Sequence, residues 1–198
     1  MRDSCSIPLR FACVLLALAA GSIASQAGVA AAQKLAPVDL LGKAFDPFHS
    51  AAGRIVVLIF VRTDCPISNR YVPVLKKLSQ EFRGKADFWL IYPDRSESPV
   101  RIRKHLDDFH LEIATLRDPG HTLVERSQAT ITPEAAVFDG SGRLLYHGRI
   151  DDWYEDFGHA RPTPTTHELR DAIQSALKGE AAIPDHASAV GCYISDLK

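Results

Sequence analysis

The sequence lacks an excess of charge of either sign. Its 198 residues include 23 Lys and Arg against 24 Asp and Glu, a formal net charge of −1. Such a balance favours neither a nucleic-acid partner nor an anionic membrane surface. Internal repeats are also absent, and low complexity is confined to the Ala-rich start. The length fits one domain with an ample core and leaves little room for a second.

The sequence also lacks an apolar run long enough to span a bilayer, which takes about 20 residues. The strongest run, residues 11–20, follows two arginines and precedes a stretch of small residues. A basic start, a short apolar segment and an Ala-x-Ala end are typical of a secretory signal. We predict a signal peptide over 1–32, with cleavage after Ala32 preferred to cleavage after Ala27. An uncleaved N-terminal membrane anchor is the alternative.

Cysteine is scarce once such a signal is removed. Cys5 and Cys13 would leave with the signal peptide, so the exported chain keeps Cys65 and Cys192. The predicted location, periplasmic or secreted, is oxidising, and disulfides persist in such compartments. The two remaining thiols are therefore either a pair or two separate reactive groups.

The apolar pattern predicts alternating strands and helices, followed by a hairpin and a closing helix. Ser98 and Pro99 have the residue types of an N-cap and a first helical position, and they open the second helix. Thr165 and Glu168 have the spacing of a capping box for the last helix. This order predicts an α/β fold with a mixed sheet and helices on both faces. The predicted strands cover 54–61, 86–92, 113–116, 134–139 and 143–148.

Cys65 lies where the first predicted strand ends and the first helix begins. A cysteine at a helix N-terminus faces unpaired backbone N–H groups and the positive end of the helix dipole, and both favour the nucleophilic thiolate. Pro66 is tolerated there because its missing N–H would be unpaired at a helix start. The carboxylate of Asp64 acts in the opposite direction, since a nearby negative charge disfavours a thiolate. We interpret Cys65 as a reactive thiol, and a buried, inert cysteine is the alternative.

Three motifs extend this pattern around Cys65 and beyond it. They are TDCPISNRY at 63–71, GRIDDWY at 148–154 and VGCYI at 190–194. Together with the element order, they resemble exported bacterial redoxin-domain proteins, peroxiredoxin-like or TlpA-like, of the thioredoxin-like superfamily. The resemblance covers roughly residues 35–194. It implies a thioredoxin-like three-layer sandwich over 33–179, followed by a tail over 180–198 that carries Cys192.

The resemblance also implies roles for single residues. Cys65 matches the attacking cysteine of the thioredoxin motif. Pro133 matches the cis-proline beside that cysteine, which leaves the backbone of Thr132 free to pair with a substrate strand. Without the resemblance, Thr132-Pro133 would be interpreted as an ordinary trans turn. Arg149, in the second motif, is expected to stabilise the thiolate if it reaches Cys65, whereas a solvated charged turn over 149–152 is the alternative.

The sequence departs from both redox patterns of the superfamily. Ser68 replaces the second cysteine of C-x-x-C, so Cys65 has no local disulfide partner, although the serine hydroxyl can donate a hydrogen bond to the thiolate. The peroxiredoxin pattern P-x-x-x-T-x-x-C fails because Arg62 and Leu58 occupy its Thr and Pro positions. We predict that Cys192, on a mobile tail, is a resolving cysteine, since the cost of loop closure grows only logarithmically with length. A permanent disulfide or an unused thiol is the alternative.

Two enzymatic functions compete. In the leading hypothesis the protein is an exported thiol–disulfide oxidoreductase, in which Cys65 attacks a disulfide and a second thiol resolves the mixed disulfide. In the second it is a thiol peroxidase, whose Cys65 sulfenic acid is resolved by Cys192. The expected partners are a disulfide-bearing protein or a peroxide as substrate and a thiol as electron donor. We expect no cofactor, no nucleic acid and no stable membrane span after cleavage.

A copper carrier is the hypothesis outside catalysis. Thiolate and imidazole suit Cu(I), and Cys65, Cys192 and a histidine would supply them. The absence of a C-x-x-x-C motif argues against this function. Four histidines also lack a ligand pair at i, i+4 spacing, so we predict that each is a surface residue rather than a metal ligand. They are His105, His110, His159 and His167.

Overall fold

The observed elements follow the predicted alternation. A computed structural model describes residues 35–51, 53–180, 187–195 and 197, and the predicted signal peptide lies outside these residues. The helices are α1 Pro47–Ser50, α2 Pro66–Glu81, α3 Pro99–Phe109, α4 Thr122–Ser127 and α5 Glu168–Lys178. The strands are β1 Ile55–Phe60, β2 Ala86–Tyr92, β3 Ala114–Arg117, β4 Ile131–Thr132, β5 Glu134–Phe138, β6 Leu144–Gly148, β7 Tyr154–Asp156, β8 His159–Ala160 and β9 Cys192–Tyr193.

The main sheet has five strands in the order β3-β2-β1-β5-β6. Strands β1, β2 and β3 run parallel to each other, whereas β5 pairs antiparallel with β1 and β6 pairs antiparallel with β5. Two short antiparallel pairs, β4–β9 and β7–β8, lie outside this sheet. The predicted mixed sheet is therefore confirmed.

Strand β1 is the centre of the core because all six of its residues are buried. Its alternating side chains face two apolar clusters, as expected of a strand covered on both sides. Val57 and Ile59 pack in the cluster formed with α2, α3 and α5. Leu58 and Phe60 pack in the cluster formed with α1 and α4. Helices thus cover both faces of the sheet, and the predicted three-layer arrangement is confirmed.

The predicted starts of α2 and α3 are confirmed, and each of these helices has a proline at its first position. Cys65 is the N-cap of α2, with Pro66 as the first helical residue. Ser98 is the N-cap of α3, and its hydroxyl accepts a hydrogen bond from the Arg101 backbone N–H at 3.2 Å. Both helices begin where a side chain satisfies an N–H group that has no partner within the helix.

The predicted capping box of α5 is wrong. The helix begins at Glu168, and its N-cap, His167, makes no side-chain capping bond. The Thr165 hydroxyl donates instead to the carboxylate of Asp152, which also accepts the Thr165 backbone N–H at 2.6 Å. Asp152 is only 5% exposed, so its buried charge needs these donors. The Thr165 hydroxyl therefore bonds to Asp152, which is distant in sequence, and does not cap α5.

The tail is not the mobile segment that we predicted, at least over its described residues 187–195. The Ile194 backbone N–H donates to the Thr130 carbonyl at 3.0 Å, and the Ile194 side chain is 4% exposed. At Gly191, a Cβ atom would lie 2.1 Å from the Thr132 carbonyl oxygen, so only glycine permits this close approach. Burial and backbone pairing hold this part of the tail against β4. Among the described residues, no helix is long and apolar enough to cross a membrane.

Candidate active site

The Cys65 sulfur lies at the first turn of α2. Its N-cap backbone is extended, with φ of −82° and ψ of 112°, and Sγ accepts a hydrogen bond from the Ser68 backbone N–H at 3.5 Å. The side chain is fully buried, with 0% exposure. A sulfur in this position receives both a backbone donor and the positive end of the helix dipole, and each stabilises a negative charge.

The loop before β5 places a carbonyl group against the same sulfur. The Thr132-Pro133 peptide bond is cis, as the resemblance implied. The Cys65 thiol donates a hydrogen bond to the Thr132 carbonyl oxygen at 3.1 Å. The structure therefore brings together Cys65, Ser68 and the Thr132-Pro133 loop.

Cys192 completes this cluster from the tail. In the β4–β9 pair, Cys192 lies directly opposite Thr132, whose hydroxyl donates to the Cys192 carbonyl oxygen at 3.2 Å. Both cysteines are free thiols, and their side chains lie close enough for each to shift the pKa of the other. Although far apart in sequence, the two thiols of the predicted pair are thus neighbours in the fold.

The environments of the two sulfurs shift their pKa values in opposite directions. Burial alone would raise the pKa of Cys65, but hydrogen bonds from Cys192 and Ser68 outweigh it, so the pKa of Cys65 lies below its ordinary value. Burial and the neighbouring Cys65 raise the pKa of Cys192 to about 12. A single negative charge shared by the two thiols therefore resides on Cys65.

The predicted effect of Asp64 is largely offset by two arginines. Its carboxylate forms ion pairs with Arg62 at 3.1 Å and with Arg101 at 3.6 Å. Arg62 also donates to the Tyr193 carbonyl of the tail at 3.3 Å. The acidic residue beside Cys65 thus belongs to a network that holds strand β9, and its charge is compensated at this edge of the site.

The structure does not bring Arg149 to Cys65. Its guanidinium pairs with the Glu168 carboxylate at the start of α5, and that pair holds the pKa of Glu168 below its ordinary value against the effect of burial. The alternative interpretation, a solvated turn, is also wrong, because Asp151 and Asp152 are 4% and 5% exposed. Asp151 accepts the Tyr71 hydroxyl at 2.6 Å. The second motif therefore anchors α5 and α2 rather than contacting the thiols.

Sequence reasoning missed a buried polar chain beneath the cysteine loop. The Asn69 side-chain amide donates to the Thr63 carbonyl at 3.2 Å, and its oxygen lies 2.8 Å from His105 Nε2. The other ring nitrogen, Nδ1, lies 2.8 Å from the Tyr92 hydroxyl. With the amide in this orientation, Nε2 carries the proton and Nδ1 accepts from Tyr92. These hydrogen-bonded side chains connect the loop that precedes Cys65 to α3 and β2.

The prediction that His105 is a surface residue is wrong. It is 6% exposed, and burial lowers its pKa. A signal was present in the sequence, since His105 follows the buried Ile102 at helical spacing on α3. Glu97 was also missed. It is 2% exposed, burial raises its pKa, and it accepts the Thr63 backbone N–H at 2.7 Å. Among the described residues, no group of three or more His, Cys, Asp or Glu side chains could hold a metal ion.

Comparisons with known proteins agree with the fold. Residues 53–144 match the thioredoxin-like family. The structure of a hypothetical protein from Sinorhizobium meliloti is similar, with a TM-score of 0.66 and 22% identity over 81% of this chain and 89% of that one. An uncharacterised conserved protein from Geobacillus kaustophilus gives a TM-score of 0.69 and 20% identity over 81% and 87% of the two chains. The exposed lipoprotein thioredoxin of Streptococcus pneumoniae gives 0.52 and 18% over 73% and 98%.

These likenesses define the class of the protein. No curated protein sequence matches the chain. At such low identities, the structural likeness concerns the fold alone. The chain has the thioredoxin-like fold, and its residues 53–144 are similar to the thioredoxin-like family. The TDCPISNRY motif and the second cysteine on the tail are features of this sequence that the comparisons do not address.

Proposed function

We propose that the protein is an exported thiol–disulfide oxidoreductase that works through Cys65, with Cys192 as its resolving cysteine. The observation that carries this proposal is that Thr132 contacts both cysteines: its carbonyl oxygen accepts the Cys65 thiol at 3.1 Å, and it lies directly opposite Cys192 in the β4–β9 pair. A thiolate at Cys65 is favoured by the Ser68 backbone N–H and hydroxyl, by the Cys192 thiol and by the helix N-terminus. A thiolate is the form that attacks disulfides.

The reaction follows from this division of roles. The Cys65 thiolate attacks one sulfur of a substrate disulfide, a mixed disulfide forms, and the other substrate sulfur leaves as a thiolate. Cys192 then loses its proton and attacks the Cys65 sulfur, which releases the second substrate thiol and leaves a Cys65–Cys192 disulfide. The substrate gains two electrons from the protein, and its two thiols take up one proton released by Cys192 and one from solvent. Because Cys65 is fully buried, a substrate disulfide reaches it only when β9 moves aside.

The proposal is tested with the mature chain and two single variants. We expect the mass of the oxidised protein to rise by two hydrogens on reduction, and peptide mapping without reductant to join Cys65 to Cys192. Reduction of insulin or glutathione disulfide should disappear in Cys65→Ser. In Cys192→Ser, the mixed disulfide on Cys65 should accumulate. Free Cys192 beside an oxidised Cys65 would refute the resolving role.

A parallel assay separates the second enzymatic function. A thiol peroxidase would consume peroxide and oxidise Cys65 to a sulfenic acid, which Cys192 would convert to the same disulfide. We expect disulfide reduction to be much faster than peroxide consumption, since the Thr of the peroxiredoxin pattern is replaced by Arg62. A rate of peroxide consumption above the rate of disulfide reduction would contradict the oxidoreductase proposal and support a thiol peroxidase.

Export is a separate part of the proposal. It rests on the basic, apolar and Ala-x-Ala segments of residues 1–32, which lie outside the described part of the structure. N-terminal sequencing of the exported protein should begin at Gln33, or at Gly28 if the earlier site is used. A retained Met1 in a membrane fraction would support the anchor instead.

A further inference from the structure

The two sulfurs of the site differ in their access to solvent. Cys65 is 0% exposed and lies beneath the β4–β9 pair, with its thiol bonded to the Thr132 carbonyl. Cys192 is only partly buried, and its neighbour Tyr193 is 77% exposed. An incoming molecule that leaves β9 in place therefore meets the Cys192 sulfur first.

Strand β9 is held by contacts that do not involve sulfur. The Ile194 backbone N–H pairs with the Thr130 carbonyl at 3.0 Å, and Arg62 donates to the Tyr193 carbonyl at 3.3 Å. The Ser195 hydroxyl donates to Asp94 at 3.1 Å. None of these contacts uses a cysteine side chain, so a disulfide between the two cysteines breaks none of these bonds directly and adds a covalent tether. We therefore expect the oxidised site to stay covered on the Cys65 side.

We propose that the thiol electron donor attacks the oxidised pair at Cys192, so that the donor's mixed disulfide forms on the tail and Cys65 is the leaving group. This inference rests on the proposed function, because it requires the Cys65–Cys192 disulfide. It assigns substrate and donor to different sulfurs. The substrate disulfide bonds to Cys65 during oxidation, and the donor bonds to Cys192 during reduction.

The chemistry of the leaving group supports the same direction of attack. In thiol–disulfide exchange the sulfur with the lower pKa leaves faster. Hydrogen bonds lower the pKa of Cys65 in spite of its burial, whereas burial and the Cys65 charge raise that of Cys192. The Ser68 N–H, 3.5 Å from the Cys65 sulfur, is already in place to receive the departing thiolate. Attack at Cys65 would instead expel the poorer leaving group.

The steps balance as a two-electron reduction. A donor thiolate bonds to the Cys192 sulfur, the Cys192–Cys65 bond breaks, and Cys65 departs as a thiolate. A second donor thiolate then attacks the donor sulfur of the mixed disulfide. This step forms the donor disulfide and releases Cys192 as a thiolate, which takes up a proton. Two donor thiols lose two electrons and two protons. The protein gains the electrons and one proton, and the other proton passes to solvent.

The experiment traps the mixed disulfide in the oxidised mature chain. Glutathione is added, samples are quenched in acid at increasing times so that Cys65 cannot attack back, and free thiols are alkylated before peptide mapping. Cys65→Ser treated with glutathione disulfide supplies the standard for an adduct on Cys192, and Cys192→Ser supplies the standard for an adduct on Cys65. We expect glutathione on Cys192 and the alkyl label on Cys65, in about tenfold or greater excess over the reverse pattern.

The outcomes separate this inference from the function on which it rests. Glutathione found mainly on Cys65, or reduction of the pair with no adduct on Cys192 at any time, overturns the inference and leaves the oxidoreductase intact. If the oxidised chain contains no Cys65–Cys192 disulfide before glutathione is added, the proposed function itself fails and the inference fails with it.

Discussion

Replacement of Ser68 by alanine tests how the site stabilises a thiolate. In the thiol form the Ser68 hydroxyl is buried and has no hydrogen-bond partner in the described part of the chain. When Cys65 ionises, this hydroxyl donates to its sulfur, and the bond contributes to the lowered pKa of Cys65 after the effect of burial. Because the hydroxyl gains its partner only in the charged state, its removal acts almost entirely on the thiolate.

The size of the effect follows from the strength of one charged hydrogen bond. Hydrogen bonds to charged groups contribute about 1.5–3 kcal/mol. The lower end of that range corresponds to about a tenfold change in an ionisation equilibrium. The pKa of Cys65 therefore rises in Ser68→Ala. At a pH below the wild-type pKa of Cys65, the thiolate population falls about tenfold. At a pH above the pKa of Cys65 in both proteins, the reduced form is the thiolate, and its loss of about 1.4 kcal/mol makes the potential of the pair about 30 mV more negative.

Alkylation of Cys65 by iodoacetamide, followed by peptide mapping across pH, measures the thiolate population directly. The matched control is Ser127→Ala, because the Ser127 hydroxyl on α4 is also buried and has no hydrogen-bond partner among the described residues. That variant removes the same atom from a different cluster and should leave the alkylation profile unchanged. An unchanged profile in Ser68→Ala, or an equal change in both variants, would refute our account of thiolate stabilisation.

Three other substitutions test neighbouring features. Ser68→Cys recreates C-P-x-C, and on oxidation it should form a disulfide with Cys65 and leave Cys192 free in peptide maps. His105→Gln should remove a pH-dependent part of the unfolding free energy. Burial lowers the pKa of His105 in the folded protein, so the unfolded protein binds the proton at a higher pH. The free energy of unfolding of the wild type therefore falls as the pH drops below about 6.5. Tyr71→Phe should lower the free energy of unfolding by about 1.5–3 kcal/mol, because it removes a 2.6 Å bond to a buried carboxylate.

Each of these predictions has a matched comparison. His159→Gln changes an exposed histidine and should keep the wild-type dependence of stability on pH. Tyr154→Phe removes a hydroxyl that accepts a longer bond, 3.3 Å from Arg70, and should cost less than Tyr71→Phe in urea unfolding. Equal losses of unfolding free energy in Tyr71→Phe and Tyr154→Phe would contradict the argument from the buried carboxylate. Parallel curves of stability against pH for wild type and His105→Gln would contradict the argument from His105. The absence of a disulfide within residues 65–68 of Ser68→Cys would contradict the placement of these residues at a helix start.

Local patterns predicted the parts of the fold that depend on local physics. The strand over 86–92 matches β2, and the Ser98 cap of α3 lies where its residue types placed it. The position of Cys65 at a helix start also follows from a strand pattern that ends and a helical pattern that begins. These features are determined within a few residues, because periodicity and capping are properties of neighbouring side chains.

The predictions that failed depend on contacts between distant segments. Strand β9 has two residues and no periodicity, so nothing local indicates that it pairs with β4. The Thr165 hydroxyl has a suitable local partner at Glu168, yet the buried charge of Asp152 binds it. Arg149 likewise pairs with Glu168 at the start of α5 instead of reaching the cysteines. Such competition is decided by tertiary packing, which a single sequence does not display.

The pairing of β4 with β9 also determines when the site comes into existence as the chain is made. Chains are synthesised from their N-terminus, so Cys65 and α2 emerge well before the residues around Cys192. Contacts between segments so far apart in sequence form late in folding. Until β9 pairs with β4, Cys65 lacks both the strand that covers it and the thiol of Cys192. Pairing of β9 with β4 therefore buries Cys65 and places the Cys192 thiol beside it.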